Sequence, residues 1–101
     1  MFAKQDNAQL ADGAELRQQA GSWMKGLRER LNLSQRDLAN RLELDYYTFI
    51  SQLENGCGRI PANRFRAWAI ALEVDEKLFV KQLLMYYDPI TYEILFGDSA
   101  A

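Results

Sequence analysis

The 101-residue sequence contains no histidine, a single cysteine, Cys57, and two prolines. Without histidine the commonest general base and metal ligand is missing, and one cysteine cannot build a thiolate cage for zinc. Nor can one cysteine form an internal disulfide, a pattern typical of a reducing compartment. No glycine-rich loop of the phosphate-binding type precedes a helix. These absences predict a protein that is not an enzyme and that has no metal and no cofactor.

The sequence also lacks a long apolar run and a strong excess of either charge. No stretch approaches the roughly 18 apolar residues that cross a bilayer, and the first residues do not resemble a signal peptide, so we expect a cytoplasmic protein without a membrane partner. The 12 basic and 14 acidic residues give a net charge of −2, which by itself neither favours nor excludes nucleic acid. The charges are uneven, however. The segment from Lys25 to Arg66 contains one lysine, seven arginines and five acidic residues. The segment from Ala67 onward contains two lysines and six acidic residues.

Apolar residues recur at helical spacing along most of the chain and predict an all-α fold, a compact bundle of five or six short helices. Residues 1–13 have no periodic face, and we expect a flexible segment there. A first helix is predicted over about 14–31, and Ser34 is a good N-cap for a second helix that ends near Leu42. Residues 14–88 then form one domain.

The later helices are predicted from their caps and prolines. Asp45 is expected to cap a third helix that Gly56 closes, and Pro61 to occupy the first position of a fourth. Asp75 is expected to cap a fifth helix, which extends to Tyr87. Asp88 and Pro89 repeat this pattern before a last short helix, which Gly97 ends.

The third predicted helix, within the stretch DYYTFISQLENG, has two contrasting faces. Its apolar face is expected to join the core and consists of Tyr46, Phe49, Ile50 and Leu53. The opposite face carries hydrogen-bonding side chains with almost no charge, namely Tyr47, Thr48, Ser51, Gln52 and Asn55. A face of this kind differs from the lysine- and glutamate-rich surface of an ordinary solvated helix.

The run LRERLNLSQRDLANRLELDYYTFISQLENGCGRIP resembles the lambda-repressor-like helix-turn-helix domains, the Cro and repressor class also called the XRE family. The shared features are the Leu-Ser-Gln start of the second helix (33–35), the Leu38–Ala39 pair, the ending Ile-Ser-Gln-Leu-Glu-Asn-Gly (50–56) and a proline soon afterwards. The combination is specific, although each fragment alone would be weak evidence. It covers about residues 20–80.

This resemblance implies a sequence-specific DNA-binding transcription regulator with helix 46–55 in the major groove of double-stranded DNA. The residues expected to contact bases are Tyr47, Thr48, Ser51 and Gln52. Gln35 and Asn55 match positions that hold phosphates in the family, and Arg36, Arg41 and Arg59 are flanking phosphate candidates by position. Because no separate activation or effector domain is evident, repression is favoured over activation.

The family pattern also pairs the glutamate of its ending with an arginine of the first helix, so Arg28 and Glu54 are expected to form a structural salt bridge. One departure concerns the connection before the third helix. From Ala39 to Ile50 the chain is one residue longer than the family pattern, and no glycine lies between them. The turn must therefore be built differently, and the orientation of Tyr46 and Tyr47 is open by one position.

The last third of the chain has more apolar residues than one small core can cover. Residues 89–101 are interpreted as a C-terminal dimerisation element, because helix-turn-helix proteins generally read palindromic sites as dimers. The expected interface consists of Phe79, Leu83, Tyr86, Tyr87, Ile90, Ile94, Leu95 and Phe96. Two alternatives stay open: the last helix folds back onto the first and fifth helices, or the chain is an antitoxin, antiactivator or adaptor whose C-terminal third holds a protein partner.

Overall fold

The computed structural model describes the backbone of residues 2–97 and the side chains of residues 13–97. Over this range the chain forms six α-helices: α1 (Phe2–Arg30), α2 (Gln35–Arg41), α3 (Thr48–Glu54), α4 (Phe65–Ala71), α5 (Glu76–Tyr87) and α6 (Pro89–Phe96). A short 3₁₀ helix, Ala62–Arg64, precedes α4, and no strand occurs in the described range. The predicted all-α class is therefore confirmed. No helix of this part of the chain is long and apolar enough to span a bilayer.

Helix α1 begins at Phe2, whereas the sequence predicted a start near residue 14. The added residues include three alanines and two glutamines and contain no proline, and extending an existing helix costs much less than starting one. The absence of a periodic apolar face therefore did not end the helix. The predicted flexibility of residues 1–13 stays a prediction, since residue 1 and the side chains of residues 2–12 lie outside the described range.

Two of the predicted N-caps are confirmed. The Ser34 hydroxyl accepts from the backbone N–H of Asp37 at 2.9 Å, and the Asp37 carboxylate accepts from the Ser34 N–H, also at 2.9 Å. This reciprocal pair is a capping box, which satisfies two backbone donors at the start of α2. The Asp75 carboxylate likewise accepts from the N–H of Leu78. Both caps depend only on residues within one helical turn, and so the sequence alone could reveal them.

Three other predicted helix starts need correction. Asp45 does not cap α3, because the connection continues through Tyr47, the N-cap residue, which makes no side-chain cap bond. Pro61 is extended, with ψ at 144°, and lies before the 3₁₀ helix instead of inside α4. Pro89 does occupy the start of α6 as predicted, but the Asp88 side chain does not cap it. That carboxylate is engaged by Arg59 instead.

Four helices end in the same way, with a residue of positive φ just beyond the helix. These residues are Asn32 after α1, Glu43 after α2, Gly56 after α3 and Glu73 after α4. In each case the next N–H reaches back into the last turn of the helix, as in the 2.8 Å bond from Cys57 N to the Gln52 carbonyl. This is the Schellman arrangement, which pairs otherwise unsatisfied carbonyls. Gly56 closes α3 as predicted, and Glu43 supplies the left-handed residue between α2 and α3.

The core lies between helices α1 to α5, each of which contributes buried side chains. Its fully buried side chains include Leu38, Ile50, Leu53, Ile60, Leu72, Phe79 and Leu83. Trp23 of α1 stacks on Phe79 with ring centroids 5.4 Å apart. Phe79 and Leu83 were predicted as dimer contacts, and this is wrong, because both face the interior of their own chain and are at most 1 % exposed. These two apolar residues of α5 are therefore covered within their own chain.

Helix α1 crosses the end of α3 at Gly21. A Cβ atom at this position would lie 2.4 Å from the Leu53 carbonyl oxygen and 2.7 Å from that of Glu54. Both neighbours are backbone atoms, which cannot rotate away as a side chain could. Gly21 thus permits close contact between the two helices.

Helix α6 folds back along α5. Its Tyr92 ring lies 5.5 Å from the Phe96 ring, and Phe96 in turn lies beneath the Lys81 ammonium group. The opposite face of α6 carries Ile90, Ile94 and Leu95, all exposed. We call these three residues the apolar α6 face. Packing against α5 therefore covers one side of the last helix and leaves the other open.

Candidate nucleic-acid interface

The outer face of α3 is polar and uncharged in the structure, as the sequence indicated. Thr48, Gln52 and Asn55 are exposed and Ser51 is half-buried, while Ile50 and Leu53 face the core. These four polar residues form the outer face of α3. Hydroxyl and amide groups of this kind can donate to and accept from the edges of base pairs.

Tyr46 was predicted in the core with Phe49, Ile50 and Leu53, and this is wrong. Its side chain is 78 % exposed, because α3 starts two residues later and Tyr46 belongs to the connection. Leu44 is the apolar residue of the connection that packs on the core. Tyr47, the N-cap residue, is 44 % exposed at the edge of the outer face of α3.

A buried ion pair supports the inner side of α3. Arg28 Nε and one terminal nitrogen donate to the two carboxylate oxygens of Glu54 at 2.7 and 2.9 Å. The side chains are only 9 % and 5 % exposed, so this is the structural salt bridge expected from the resemblance. The Glu54 carboxylate raises the pKa of Arg28 further above its ordinary value, mainly through these hydrogen bonds. Arg28 also donates to the carbonyl of Leu33, which fixes the loop before α2.

Gln35 joins the same group from the start of α2. Its side-chain amide donates to Glu54 Oε1 at 3.0 Å, so the carboxylate connects α1, α2 and α3. The predicted phosphate contact relies on the free N–H groups at the start of the helix, and the second amide hydrogen of Gln35 is not in the bond to Glu54. Gln35 lies at the first position of α2, where backbone N–H groups have no partner within the helix.

Arg36 lies beside the outer face of α3. It is exposed, its guanidinium carbon lies 5.9 Å from the centre of the Tyr47 ring, and no carboxylate among the described side chains is within ion-pair distance of it. Arg36 and Tyr47 thus link the start of α2 to the start of α3. Of the arginines predicted to contact phosphate, this is the one that carries uncompensated charge.

Arg41 and Arg59, the other two predicted phosphate ligands, are engaged elsewhere. Arg41 donates to the Ala71 carbonyl at 2.9 Å and pairs with Glu73 at 2.7 Å, so it holds α2 to the end of α4. Arg59 pairs with Asp88 at 2.7 Å, and its guanidinium carbon lies 4.7 Å from the centre of the Tyr87 ring. These contacts give both residues structural roles, so of the three predicted phosphate-binding arginines only Arg36 has no ion-pair partner among the described side chains.

The loop after α3 is fixed to the junction of α5 and α6. Besides the Arg59 contacts, the Tyr87 hydroxyl accepts from the Ile60 N–H at 3.2 Å. Burial raises the pKa of this tyrosine above its ordinary value. Sequence reasoning missed this connection, because residues 59 and 87 are far apart in the chain and neither belongs to a shared motif.

No group of three or more potential metal ligands of the histidine, cysteine or carboxylate type occurs among the described side chains. Cys57 is exposed in the turn after α3. The residues proposed for the site are therefore hydrogen-bonding and aromatic side chains together with Arg36. A scan against protein-family models and a search of the curated proteins returned no match for this chain.

Proposed function

We propose that the chain is a sequence-specific DNA-binding regulator of the lambda-repressor-like, XRE type, with α3 entering the major groove. The observation that carries the proposal is the exposed, uncharged polar face of α3, held from behind by the buried Arg28–Glu54–Gln35 group. A base-reading helix needs donors and acceptors in fixed positions, and a buried network of this kind supplies the rigidity. In this proposal Gln52, Ser51, Thr48 and Tyr47 read bases.

The proposed phosphate contacts come from the start of α2 and the end of α3. Gln35 offers backbone N–H groups at a helix start, Asn55 lies at the other end of the site, and Arg36 adds a positive charge. Affinity should fall as the salt concentration rises, with a slope of about −0.9 for each phosphate contact. The acidic last third of the chain faces away from the duplex.

The proposal includes a dimer, in which two copies meet through the apolar α6 face. One recognition helix reads only a few base pairs, and a two-fold dimer reads two half-sites roughly 34 to 36 Å apart. Ile90, Ile94 and Leu95 are exposed together with Thr91, and none of the four is charged. Two copies could therefore meet without like-charge repulsion across an isologous contact.

The test is a comparison of cognate and random DNA. A binding site is first selected from a random duplex library with the full chain, and both duplexes are then titrated with the wild type and with Gln52→Ala. We expect Gln52→Ala to lose about 1 to 3 kcal/mol of preference for the selected site while folding normally, because a bidentate base contact is removed. Arg36→Gln is the matched variant, expected to weaken both duplexes by the same factor.

Two results would count against the proposal. If no duplex is enriched over competitor, the outer face of α3 does not read DNA. If Gln52→Ala and wild type show the same ratio between selected and random duplex, the assignment of base readers fails even if the chain binds DNA. Failure to bind any duplex, combined with an intact fold, would favour the protein-interaction module that uses the same helices to hold a partner.

A further inference from the structure

A groove of about 720 Å³ lies on the side of the molecule formed by the start of α4, helix α5 and the end of α6. Its apolar walls are Phe65, Leu78, Val80 and Phe96. No residue of the outer face of α3 or of the apolar α6 face lines it. The volume falls within the roughly 300 to 1,000 Å³ of small-molecule sites, which are also mostly apolar with a few polar groups.

The rim of this groove is positively charged although the surrounding segment is acidic. Three cations, Arg66, Lys77 and Lys81, and one acid, Glu76, line it. Arg66 pairs with Glu76 at 2.7 Å, so these two charges compensate each other. Lys77 and Lys81 have no carboxylate within ion-pair distance among the described residues. Two uncompensated positive charges therefore border an apolar surface.

The geometry places one of these charges directly over the apolar wall. Lys81 Nζ lies 5.0 Å from the centre of the Phe96 ring, which is itself 46 % exposed. Leu78, on the same side of α5, is 67 % exposed. A single apolar side chain with this exposure is common on protein surfaces. Here Leu78 and Phe96 together line one concave surface next to two ammonium groups.

We propose that this groove binds a small amphipathic anion. Its apolar chain or ring lies along Leu78, Val80 and Phe96, and its carboxylate or sulfonate is held by Lys77 and Lys81. The charge of the rim selects an anion over a cation, and the apolar walls select an amphipathic molecule over a simple salt ion. The inference does not depend on DNA binding, and its test uses no DNA.

The experiment is calorimetric titration of the full chain with decanoate, kept below its micelle-forming concentration. Decyltrimethylammonium, with the same chain length and the opposite charge, is the ligand control. We expect decanoate to bind with a Kd on the order of 0.1 to 1 mM, a modest value for a ligand of this size, and the cation to bind at least about tenfold more weakly. Absence of decanoate binding, or equal binding of both amphiphiles, would overturn the proposal.

Variants locate the binding to the groove. Leu78→Gln should weaken decanoate by about tenfold, since apolar contact area is lost, and the double variant Lys77→Gln with Lys81→Gln should weaken it by about threefold to tenfold. Matched controls lie outside the groove: Ile70→Gln replaces an equally exposed apolar residue of α4, and Lys25→Gln an exposed lysine of α1.

Both controls should stay within about twofold of the wild type, because neither side chain lines the groove. Circular dichroism verifies the fold of each variant. Equal losses in groove and control variants, or none in the groove variants, would contradict the assignment.

Discussion

Helices α3 and α6 both leave one face open to solvent, but the two faces differ in chemistry and in support. The outer face of α3 consists of hydroxyl and amide groups, which water solvates well, so its exposure costs little. The apolar α6 face exposes Ile94 to 74 %, and about 25 cal/mol is lost for every Å² of such surface left in water. The proposed dimer contact at α6 therefore rests on exposure alone, whereas the proposed DNA contact at α3 rests on the unusual lack of charge.

The supports differ as well. Helix α3 is fixed by a buried ion pair and by the close crossing of α1 at Gly21. Helix α6 is attached by packing on α5 and by the Arg59–Asp88 pair, whose side chains are both solvent-accessible. A helix that recognises a DNA sequence must have a fixed orientation, whereas association between two chains needs mainly complementary apolar area. This difference is consistent with the proposed roles, in which α3 contacts DNA and α6 contacts a second copy of the chain.

The largest expected effect comes from removing the support of α3. Glu54→Ala should destabilise the protein by about 3 to 5 kcal/mol, because the guanidinium of Arg28 would stay buried without its carboxylate. Urea unfolding followed by circular dichroism measures this. Glu76→Ala, which breaks the exposed pair with Arg66, is the control and should cost clearly less. Similar losses in both variants would show that the buried pair does not fix α3.

A pair of glycine variants in α1 should change stability in opposite directions. Gly21→Ala should cost about 1 to 3 kcal/mol, since the new methyl group would collide with the backbone of Leu53 and Glu54. Gly26→Ala meets nothing within 4 Å and should stabilise the helix by up to about 1 kcal/mol. Thermal unfolding of the two variants side by side is sufficient, and a Gly21→Ala protein as stable as the wild type would exclude the close crossing.

Charging the apolar α6 face should weaken the proposed dimer without unfolding the chain. Ile94→Asp is expected to raise the dimer dissociation constant by about tenfold, about 1.4 kcal/mol, because an apolar contact is replaced by two facing carboxylates. Sedimentation equilibrium gives this constant. Ile70→Asp, at an equally exposed position of α4, should leave it unchanged. A dimer unaffected by Ile94→Asp would mean that α6 does not mediate association.

The smallest expected effect concerns the cap of α2, which positions Arg36 next to α3. Hydrogen bonds from the backbone and hydroxyl of Ser34 lower the pKa of the Asp37 carboxyl below its ordinary value. The stabilisation is therefore complete above the unfolded pKa, about 3.9, and is lost as the pH falls through the lower folded value.

Asp37→Asn removes this titration. Between pH 7 and pH 3 the variant should lose slightly less stability than the wild type in otherwise identical urea titrations. Equal losses would show that the carboxyl has no depressed pKa in the folded state.

Features that depend on neighbouring residues were predicted well. Ser34 and Asp75 cap helices as expected, because an N-cap involves only the next three residues, and Gly56 takes the left-handed conformation that ends α3. The inward face of α3 followed from its periodicity at Ile50 and Leu53. The Arg28–Glu54 pair spans most of the helix-turn-helix segment, and only the resemblance to a known pattern, not local chemistry, indicated it.

The sequence by itself thus determined the helical class, the N-caps at Ser34 and Asp75 and the polar character of the outer face of α3. Only the tertiary structure decided which apolar face is covered and which charged side chains form ion pairs within the chain. The sequence predicted that Phe79 and Leu83 contact a partner, yet both are buried in the core of their own chain. It also predicted that Arg41 and Arg59 contact phosphate, yet they pair with Glu73 and Asp88. Periodicity and caps act within a few residues, whereas the partner of a buried face or an ion pair is set by segments distant in sequence, which meet only in the folded chain.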